Sequence, residues 1–319
     1  MKQYRIASFN LYKFSANTEK ELSEVSQIIR ENKVDILAIQ EIFSKDALDN
    51  LLRELNAKGN VRWDGRWDSP NSRSVSAAEG YAFIWNKDRI ELSQNRSGKV
   101  FEPRIHNQYP HRDGIELIRN PYYGRFVIKE NRMTEFRLIN THIMFSLKRE
   151  ENESDDQESF VENYGAIAMR NRELDILAGK ILPKLDDKAY DYQWNERDGI
   201  CRKPYTILLG DYNLNLKDSR AKGSLIMNDE ITICDSISEK KIITIQKDLS
   251  TLRKNTSGEE GGYRNNFDHF SYDQNRPLEV VRCWSVDAPN KMSCFAGDYE
   301  KYRKDVSDHL MVIMEVKLI

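Results

Sequence analysis

The chain has 319 residues, 39% of them apolar, which is enough to build a packed core and argues against a disordered polypeptide. Its 49 basic residues against 51 acidic ones leave a formal charge of −2. No global basic field exists to hold nucleic acid as a histone does, so any polyanion must be gripped by a local patch or a bound metal. No uninterrupted apolar stretch approaches the roughly 18–20 residues that cross a bilayer, so no membrane span is expected.

Taken in chain order, Tyr4 to Leu11 and Val34 to Ile39 are runs of strand length. Between them, Thr18-Glu19-Lys20-Glu21 has the form of a capping box, and Leu22, Val25 and Ile29 follow at helical spacing. Leu48, Leu51, Leu52 and Leu55 repeat as one face of a second helix. Further strands are expected at Tyr81 to Trp85, Phe126 to Ile128, Phe136 to Ile143, Tyr205 to Leu209, Phe267 to Tyr272, Val280 to Trp284 and Leu310 to Leu318. One long helix interrupts them, with its apolar stripe on Tyr164, Ile167, Leu174, Leu177 and Ile181, and Pro183 is expected to end it. So many strands with so few helices between them suggest sheets packed face to face with helices outside.

Residues near 146–160 and 250–266 are polar and read as solvated surface loops. No internal repeat or Pro-rich linker divides the chain, so residues 1–319 are expected to form a single domain. Cys201, Cys234, Cys283 and Cys294 have neither zinc-site spacing nor the density of a disulfide scaffold. They read as free thiols and favour a reducing compartment, the cytoplasm, with a removed leader peptide as the alternative.

Polar residues at strand ends stand at the rim of a sheet, and six such places occur. Asn10 and Glu41 close the first two strands, and Asn140-Thr141-His142 ends a third. Gly210-Asp211-Tyr212-Asn213 follows an apolar run, Asp268-His269 lies in NNFDHF, and Ser307-Asp308-His309 precedes the last strand. Each taken singly reads as a turn former, cap or structural histidine. Together they supply hard oxygen ligands for a Mg²⁺-like cation, imidazoles for proton transfer, and carboxylates to orient them.

The motifs SFN, IQE, EGYAF, NTH, GDYN, FDH and SDH, in this order from Ile6 to the C-terminus, resemble those of the metal-dependent endonuclease/exonuclease/phosphatase superfamily. The pattern is most similar to that of the deoxyribonuclease I-like enzymes. The resemblance implies an α/β (α+β) fold, a four-layer sandwich of two mainly antiparallel β-sheets flanked by helices. It also implies Mg²⁺, with Mn²⁺ as its alternative, on Glu41 helped by Asn10 and Asp308. His309 would accept a proton from the attacking water, oriented by Asp268, while Asp211 and Asn213 would bind the scissile phosphate or water. His142 distinguishes the chain from the abasic-site branch, where Tyr is usual, and Glu79 of EGYAF would pair with it to protonate the leaving oxygen.

Arg119 of Arg119-Asn120-Pro121 resembles a phosphate-contacting arginine. Phe43 departs from the pattern, because deoxyribonuclease I has there an arginine that enters the minor groove. Basic pairs at Lys148-Arg149, Arg202-Lys203, Lys240-Lys241 and Arg253-Lys254 read as solvated faces that could compensate, and Trp63, Trp67, Tyr122 and Tyr123 could stack on bases or a headgroup. His106 and His111 read as solvated, and neither they nor His269 is given a role.

The expected activity is that of a nuclease cutting DNA, in preference to RNA, by water attack on phosphorus. The alternatives are a sphingomyelinase-like or inositol polyphosphate phosphatase-like hydrolase, or a binding module without catalysis.

Overall fold

The computed structural model describes residues 2–69, 79–107, 117, 119–144, 160–190, 202–221, 227–234, 239–253, 262–276 and 278–318. Among the described residues, fourteen strands form two sheets. The first is made of β1 (Gln3–Phe14), β2 (Ile36–Ile42), β3 (Trp63–Asp68), β4 (Gly80–Asn86), β13 (Glu279–Ser285) and β14 (Val312–Lys317), in the order β13-β14-β1-β2-β4-β3. The second contains β5 (Ile90–Leu92), β7 (Tyr122–Ile128), β8 (Asn131–His142), β9 (Lys203–Asp211), β10 (Glu230–Cys234), β11 (Glu239–Ile245) and β12 (Asp268–Asp273), in the order β10-β11-β12-β9-β8-β7-β5. The short β6 (Arg104–Ile105) pairs with β7.

Both sheets are antiparallel except for one central pair each, β1 with β2 and β8 with β9. A parallel pair needs a crossover, usually helical. α1 (Leu22–Glu31) supplies the first, while α3 (Phe160–Ile176), a π-helical turn (Leu177–Ile181) and α4 (Leu182–Tyr190) lie between β8 and β9. α2 (Lys45–Ala57) follows β2, with Ser44 Oγ accepting from Ala47 N as its N-cap, and α5 (Ala288–Lys291) and α6 (Tyr299–Asp305) lie before β14.

Alternation along the strands sorts the side chains into layers. Ile6, Ile36, Phe83, Phe126, Phe136, Leu138, Leu209, Phe270 and Met314 fill the space between the sheets. Phe9, Leu11, Leu37 and Ile39 face the other way, onto Val25, Ile28, Ile29, Leu48, Leu51 and Leu55 of α1 and α2. Ile139, Leu208 and Tyr212 pack with Leu174, Leu177 and Ile181. The four-layer sandwich expected above is therefore the fold.

Several local expectations are corrected. The capping box does not form, because Thr18 Oγ1 accepts from Lys20 N, and Glu21 is the residue at the N-cap of α1 with no side-chain capping bond. Pro183 does not end the third helix. A proline lacks the N–H of an α turn and its ring clashes with the carbonyl four residues earlier, and the π turn before it re-spaces the hydrogen bonds so that the helix runs on to Tyr190.

The loop expected near 146–160 lies outside the described residues for 146–159, and residue 160 already opens α3. The segment expected as a loop at 250–266 is anchored at both described ends: Ser250 and Asn266 are fully buried, and Thr251 and Leu252 make β-bridges to His309 and Tyr263. Cys283 and Cys294 are free, whereas Cys201 lies outside the described residues. No described helix is long and apolar enough to cross a membrane.

Candidate active site

The two parallel pairs end on the same edge of the sandwich, and their last residues form the site. Asn10 ends the regular part of β1, Glu41 that of β2, His142 ends β8 and Asp211 ends β9. Tyr12, Lys13 and Glu41 all take left-handed backbone angles (φ 37°, 53° and 57°), and the β1–β2 register shifts between Asn10 and Phe14. That irregularity turns the Glu41 carboxylate onto the edge, where its Oε2 accepts from Lys13 N at 3.0 Å.

Gly210 has φ 144°, and a Cβ there would stand 1.9 Å from the Thr141 carbonyl oxygen, so only glycine lets β9 approach β8 while presenting Asp211 beside His142. In the same way a Cβ on Gly80 would lie 2.6–2.9 Å from Trp67 Nε1 and the Asp68 and Ile42 carbonyls, so this glycine lets β4 start against β3 and β2 just after Glu79.

Asn10 is fully buried and joins the two sheets' carboxylates, its Nδ2 donating to Glu41 Oε1 and Asp211 Oδ2 at 3.0 Å each. Asp211 Oδ2 also faces two imidazoles, His142 Nε2 at 3.5 Å and His309 Nε2 at 3.6 Å. Each imidazole is held from behind by a second carboxylate: His142 Nδ1 lies 2.5 Å from Glu79 Oε1, and His309 Nδ1 lies 2.9 Å from Asp268 Oδ2. A carboxylate only accepts, so His309 Nδ1 carries hydrogen, and at His142 the shorter contact to Glu79 places hydrogen on Nδ1 as well, which makes the 2.8 Å approach of Arg119 Nη1 a contact between two donors; both Nε2 atoms point at Asp211.

Burial opposes charge on His142, but the adjacent Glu79 outweighs it and raises the imidazole above its usual range. Burial likewise opposes charge on His309, and Asp268 with Asp211 raises it well above that range. Burial first, then the nearby Asp268, raises Asp211, opposed by the two histidines and Asn10. Glu79 is held low by His142 and Arg119 in spite of its burial.

The remaining expected residues lie close by. Arg119 Nη2 sits 2.6 Å from Glu79 Oε2, so its guanidinium is paired with that carboxylate, and its Nη1 lies 2.8 Å from His142 Nδ1. Asn213 (φ 51°) donates its N–H to Asp211 Oδ1 and its Nδ2 to the Ile143 carbonyl, at 2.9 and 2.8 Å. Asp308 has Arg303 Nη2 at 3.7 Å from Oδ2, while its Oδ1 is buried with no hydrogen-bond partner among the described residues. Glu41 and Asp308 act electrostatically on the same two ammonium groups, Lys13 and Lys20, which places both acids at one end of the site. Lys20 Nζ donates to the Val306 carbonyl, and burial lowers its pKa to about 8.

A buried carboxylate oxygen without a partner calls for a cation or water, and oxygen donors from Glu41 and Asp308 suit a hard divalent ion that keeps several waters. A tighter group, Asp211, Asp268 and His309, has ligand atoms within 4.8 Å of one another. There Asp268 already holds His309, and an imidazole is a poor ligand for Mg²⁺. Asp268 Oδ1 in this group is also buried with no hydrogen-bond partner among the described residues, so the edge offers two places for a cation.

Sequence reasoning missed the supports. Gln40 Nε2 donates to Asn140 Oδ1 at 2.7 Å, a polar tie between the sheets directly beneath Glu41 and His142. Tyr81 Oη accepts from His142 N, Ser250 Oγ from Asp268 N, and Ser307 Oγ donates to the Asn10 carbonyl and accepts from His309 N. A buried Gln or Asn within an apolar strand was the available signal.

Other expectations are corrected. Trp63 and Tyr122 are core residues, Trp67 Nε1 donates to the Ile42 carbonyl, and Tyr123 packs edge-on against His106, so these rings form no stacking platform. His106 is buried rather than solvated, and His269 is buried with Nε2 donating to the Leu214 carbonyl; His111 lies outside the described residues. Of the basic pairs, Lys240 is buried and bound to Asp187 and the Pro183 carbonyl, and Arg202 ties the Arg132 and Gln94 carbonyls. Lys148-Arg149 and Lys254 lie outside the described residues.

Comparison with known proteins agrees with this fold. The Endonuclease/Exonuclease/phosphatase family profile matches residues 7–309. A zebrafish (Danio rerio) protein, endonuclease/exonuclease/phosphatase family domain-containing protein 1, is 29% identical over 152 residues, covering 43% of this chain but only 26% of its own length. Among solved structures, an endonuclease/exonuclease/phosphatase from Bacteroides vulgatus superposes with TM-score 0.57 at 13% identity, covering all of both chains. A mannosyl-6-phosphatase from Bacteroides thetaiotaomicron gives 0.53 at 14%, covering 99% of this chain and 100% of its own. D. rerio TDP2 complexed with a single-strand DNA product gives 0.53 at 12%, covering 100% of both.

Proposed function

The chain belongs to the endonuclease/exonuclease/phosphatase family of phosphoric ester hydrolases, and we propose that within it this protein is a Mg²⁺- or Mn²⁺-dependent nuclease hydrolysing DNA phosphodiester bonds. The observation that carries the reading is the opposed pair of imidazoles, each backed by its own carboxylate and both aimed at Asp211 from 3.5 and 3.6 Å. Hydrolysis of a phosphodiester needs one group to take a proton from water and another to give one to the leaving oxygen.

His309 takes the first role. Asp268 fixes its Nδ1–H; the acids around the ring raise its pKa well above the usual range, and a divalent cation on Asp308 would counter them and free the Nε2 lone pair to accept the proton of the attacking water. His142 takes the second, because Glu79 favours its imidazolium, the form that can donate. Asn10 holds Glu41 and Asp211 at fixed separation, Asn213 fixes Asp211, and Arg119 both steadies Glu79 and offers its guanidinium at the edge where phosphate arrives. A divalent cation on Glu41 and Asp308, with Asn10 helping through Glu41, would offset negative charge on the phosphate oxygens.

A phosphomonoesterase or headgroup hydrolase is the second reading. It is favoured by Phe43, which supplies no cation to a groove, by the burial of Trp63 and Tyr122, which could have stacked on bases, and by the sugar phosphatase among the structural neighbours. The test is to incubate the protein with Mg²⁺, Mn²⁺ or EDTA against single- and double-stranded DNA, RNA, sphingomyelin, an inositol polyphosphate and mannose 6-phosphate. Metal-dependent cleavage of DNA supports the nuclease; phosphate release from the monoesters with DNA left intact overturns it.

A further inference from the structure

Beyond Asn10, the first strand continues in an unusual way. Tyr12 and Lys13 have left-handed backbone angles (φ 37° and 53°), which residues other than glycine seldom adopt and which persist only where the surroundings impose them. Here two residues of the reacting edge impose them. Asn10 Oδ1 accepts from Tyr12 N at 2.9 Å, and Glu41 Oε2 accepts from Lys13 N at 3.0 Å. The two side chains are thereby held beside the catalytic carboxylates, with Lys13 exposed and Tyr12 half-buried.

A third side chain reaches the same place from the segment before α1. Lys20 Nζ donates to the Val306 carbonyl at 2.8 Å, two residues before Asp308. It stands 5.7 Å from the centre of the Tyr12 ring, and Lys13 Nζ stands 4.9 Å from that centre. Ser307 Oγ donates to the Asn10 carbonyl at 2.6 Å and so ties the Val306 turn to the strand that carries Tyr12.

Two ammonium groups around one ring repel each other, and the π face offsets only part of that cost. An ammonium has several N–H donors, and the Val306 carbonyl occupies one of those on Lys20. The acids that act on both lysines are Glu41 and Asp308, and Asp305, which acts on Lys20, is paired with Lys301. Glu41 and Asp308 are also the carboxylates whose oxygens suit a divalent cation. Once they neutralise a cation, the two lysines are left to balance another anion.

We propose that Lys13 and Lys20, set around Tyr12, bind the phosphate next to the scissile one in a polynucleotide strand. The inference rests on the nuclease reading for its kind of ligand. Two residues separate Asn10 from Tyr12, at most about 7 Å of chain, which matches one or two nucleotide steps at about 3.4 Å of rise each. A sugar phosphate has no second phosphate to place there.

The test uses the trinucleotide TpTpT and its two analogues in which one linkage is an uncharged methylphosphonate. Each analogue has one cleavable bond and lacks a charged neighbour on one side. Values of kcat/KM with Mn²⁺ are measured for wild type, the double variant Lys13→Gln, Lys20→Gln, the single variant Lys13→Gln and the charge-preserving Lys13→Arg. All keep the backbone N–H that Glu41 accepts, and the single variants alter only an exposed side chain. One neutralised phosphate, at about 0.7 of salt slope, is worth roughly fivefold in affinity at 0.1 M salt.

Wild type should prefer TpTpT to at least one analogue by about that factor. The double variant should lose the preference, Lys13→Gln should lose part of it, and Lys13→Arg should keep it. Equal treatment of all three trinucleotides by wild type overturns the proposal, as does a double variant that falls on all three by one common factor. A preference seen only for inositol 1,4,5-trisphosphate over inositol 1-phosphate also overturns it, giving the lysines to a headgroup. Anisotropy of a fluorescent 15-nucleotide strand in EDTA separates this inference from the nuclease reading. Strand binding that weakens about fivefold in the double variant, without cleavage of any trinucleotide, sinks the nuclease reading and leaves the phosphate site standing. Cleavage with the preference intact in the double variant does the reverse, and a wild type that neither binds nor cleaves a strand overturns both.

Discussion

Replacing Asp268 by Asn separates orientation from packing at His309. The carboxylate is fully buried and accepts the imidazole Nδ1–H at 2.9 Å, which leaves Nε2, on the side facing Asp211, as the ring atom that can exchange a proton with water. Asparagine keeps the volume but presents an NH2 group to Nδ1, which stabilises the opposite tautomer, with its hydrogen on Nε2. That form cannot accept a proton from water. The expected loss is the whole contribution of a general base, about 10²–10⁴ in kcat, or roughly 3–5 kcal/mol of barrier.

Asp268→Ala should lose less than Asp268→Asn, because it leaves the imidazole free to populate both tautomers. The assay is kcat and kcat/KM for bis(p-nitrophenyl) phosphate at saturating Mn²⁺, with thermal midpoints by circular dichroism and the His309 tautomer by ¹⁵N NMR. If the Asn variant turns over within about threefold of wild type while NMR shows the hydrogen on Nε2, His309 is not the base and the reasoning fails.

His142→Ala should reduce kcat by about 10²–10⁴ and flatten the high-pH limb of the rate profile, and Glu79→Gln should move that limb to lower pH, because a raised imidazole pKa is what keeps the acid protonated; wild-type profiles in both would remove the pair from the mechanism. Glu41→Gln should weaken Mn²⁺ binding in calorimetry by about tenfold or more before it alters folding, and an unaltered titration would contradict its place as a ligand. Gly210→Ala should destabilise by more than about 1 kcal/mol, since its Cβ would meet the Thr141 carbonyl oxygen at 1.9 Å and φ is positive; an unchanged urea midpoint would refute the tight β8–β9 approach.

His106 gives a pH dependence of definite sign. Its folded value near 4 lies below the unfolded value of 6.5, so its contribution is present above pH 6.5 and lost as pH falls towards 4. Lowering pH from 7 to 5 should therefore cost up to about 2 kcal/mol, a loss that His106→Gln removes; equal pH slopes in both proteins would show that the imidazole is not held neutral.

Much of the site was legible because its residues interrupt apolar strands. A polar Asn10, Glu41, Asp211 or Asp268 at the end of a run that otherwise feeds a core stands out against the alternation that buried sheets impose. The β1, β2, β4, β8, β9 and β14 strands were found for the same reason. Edge strands were less visible: β3, β10 and β11 mix charged residues with apolar ones, since an edge or half-exposed strand is held to no strict pattern. The continuation of the helix past Pro183 was hidden because a π turn is a local re-spacing of hydrogen bonds that leaves no periodicity of its own.

The order of polar strand ends along the chain determined the family likeness, the layered fold and the residue types at the reacting edge, because strand length and alternation are local properties. The resemblance already implied Glu79 beside His142 and Asp268 beside His309; only the folded chain decided that Asn10 stands between Glu41 and Asp211 from different sheets and that Arg119 is engaged with Glu79. These pairs are separated by up to 201 residues in sequence. Hydrogen bonds are set by ångström-scale distance and direction, which arise when two sheets close on one core and which no spacing along the chain encodes.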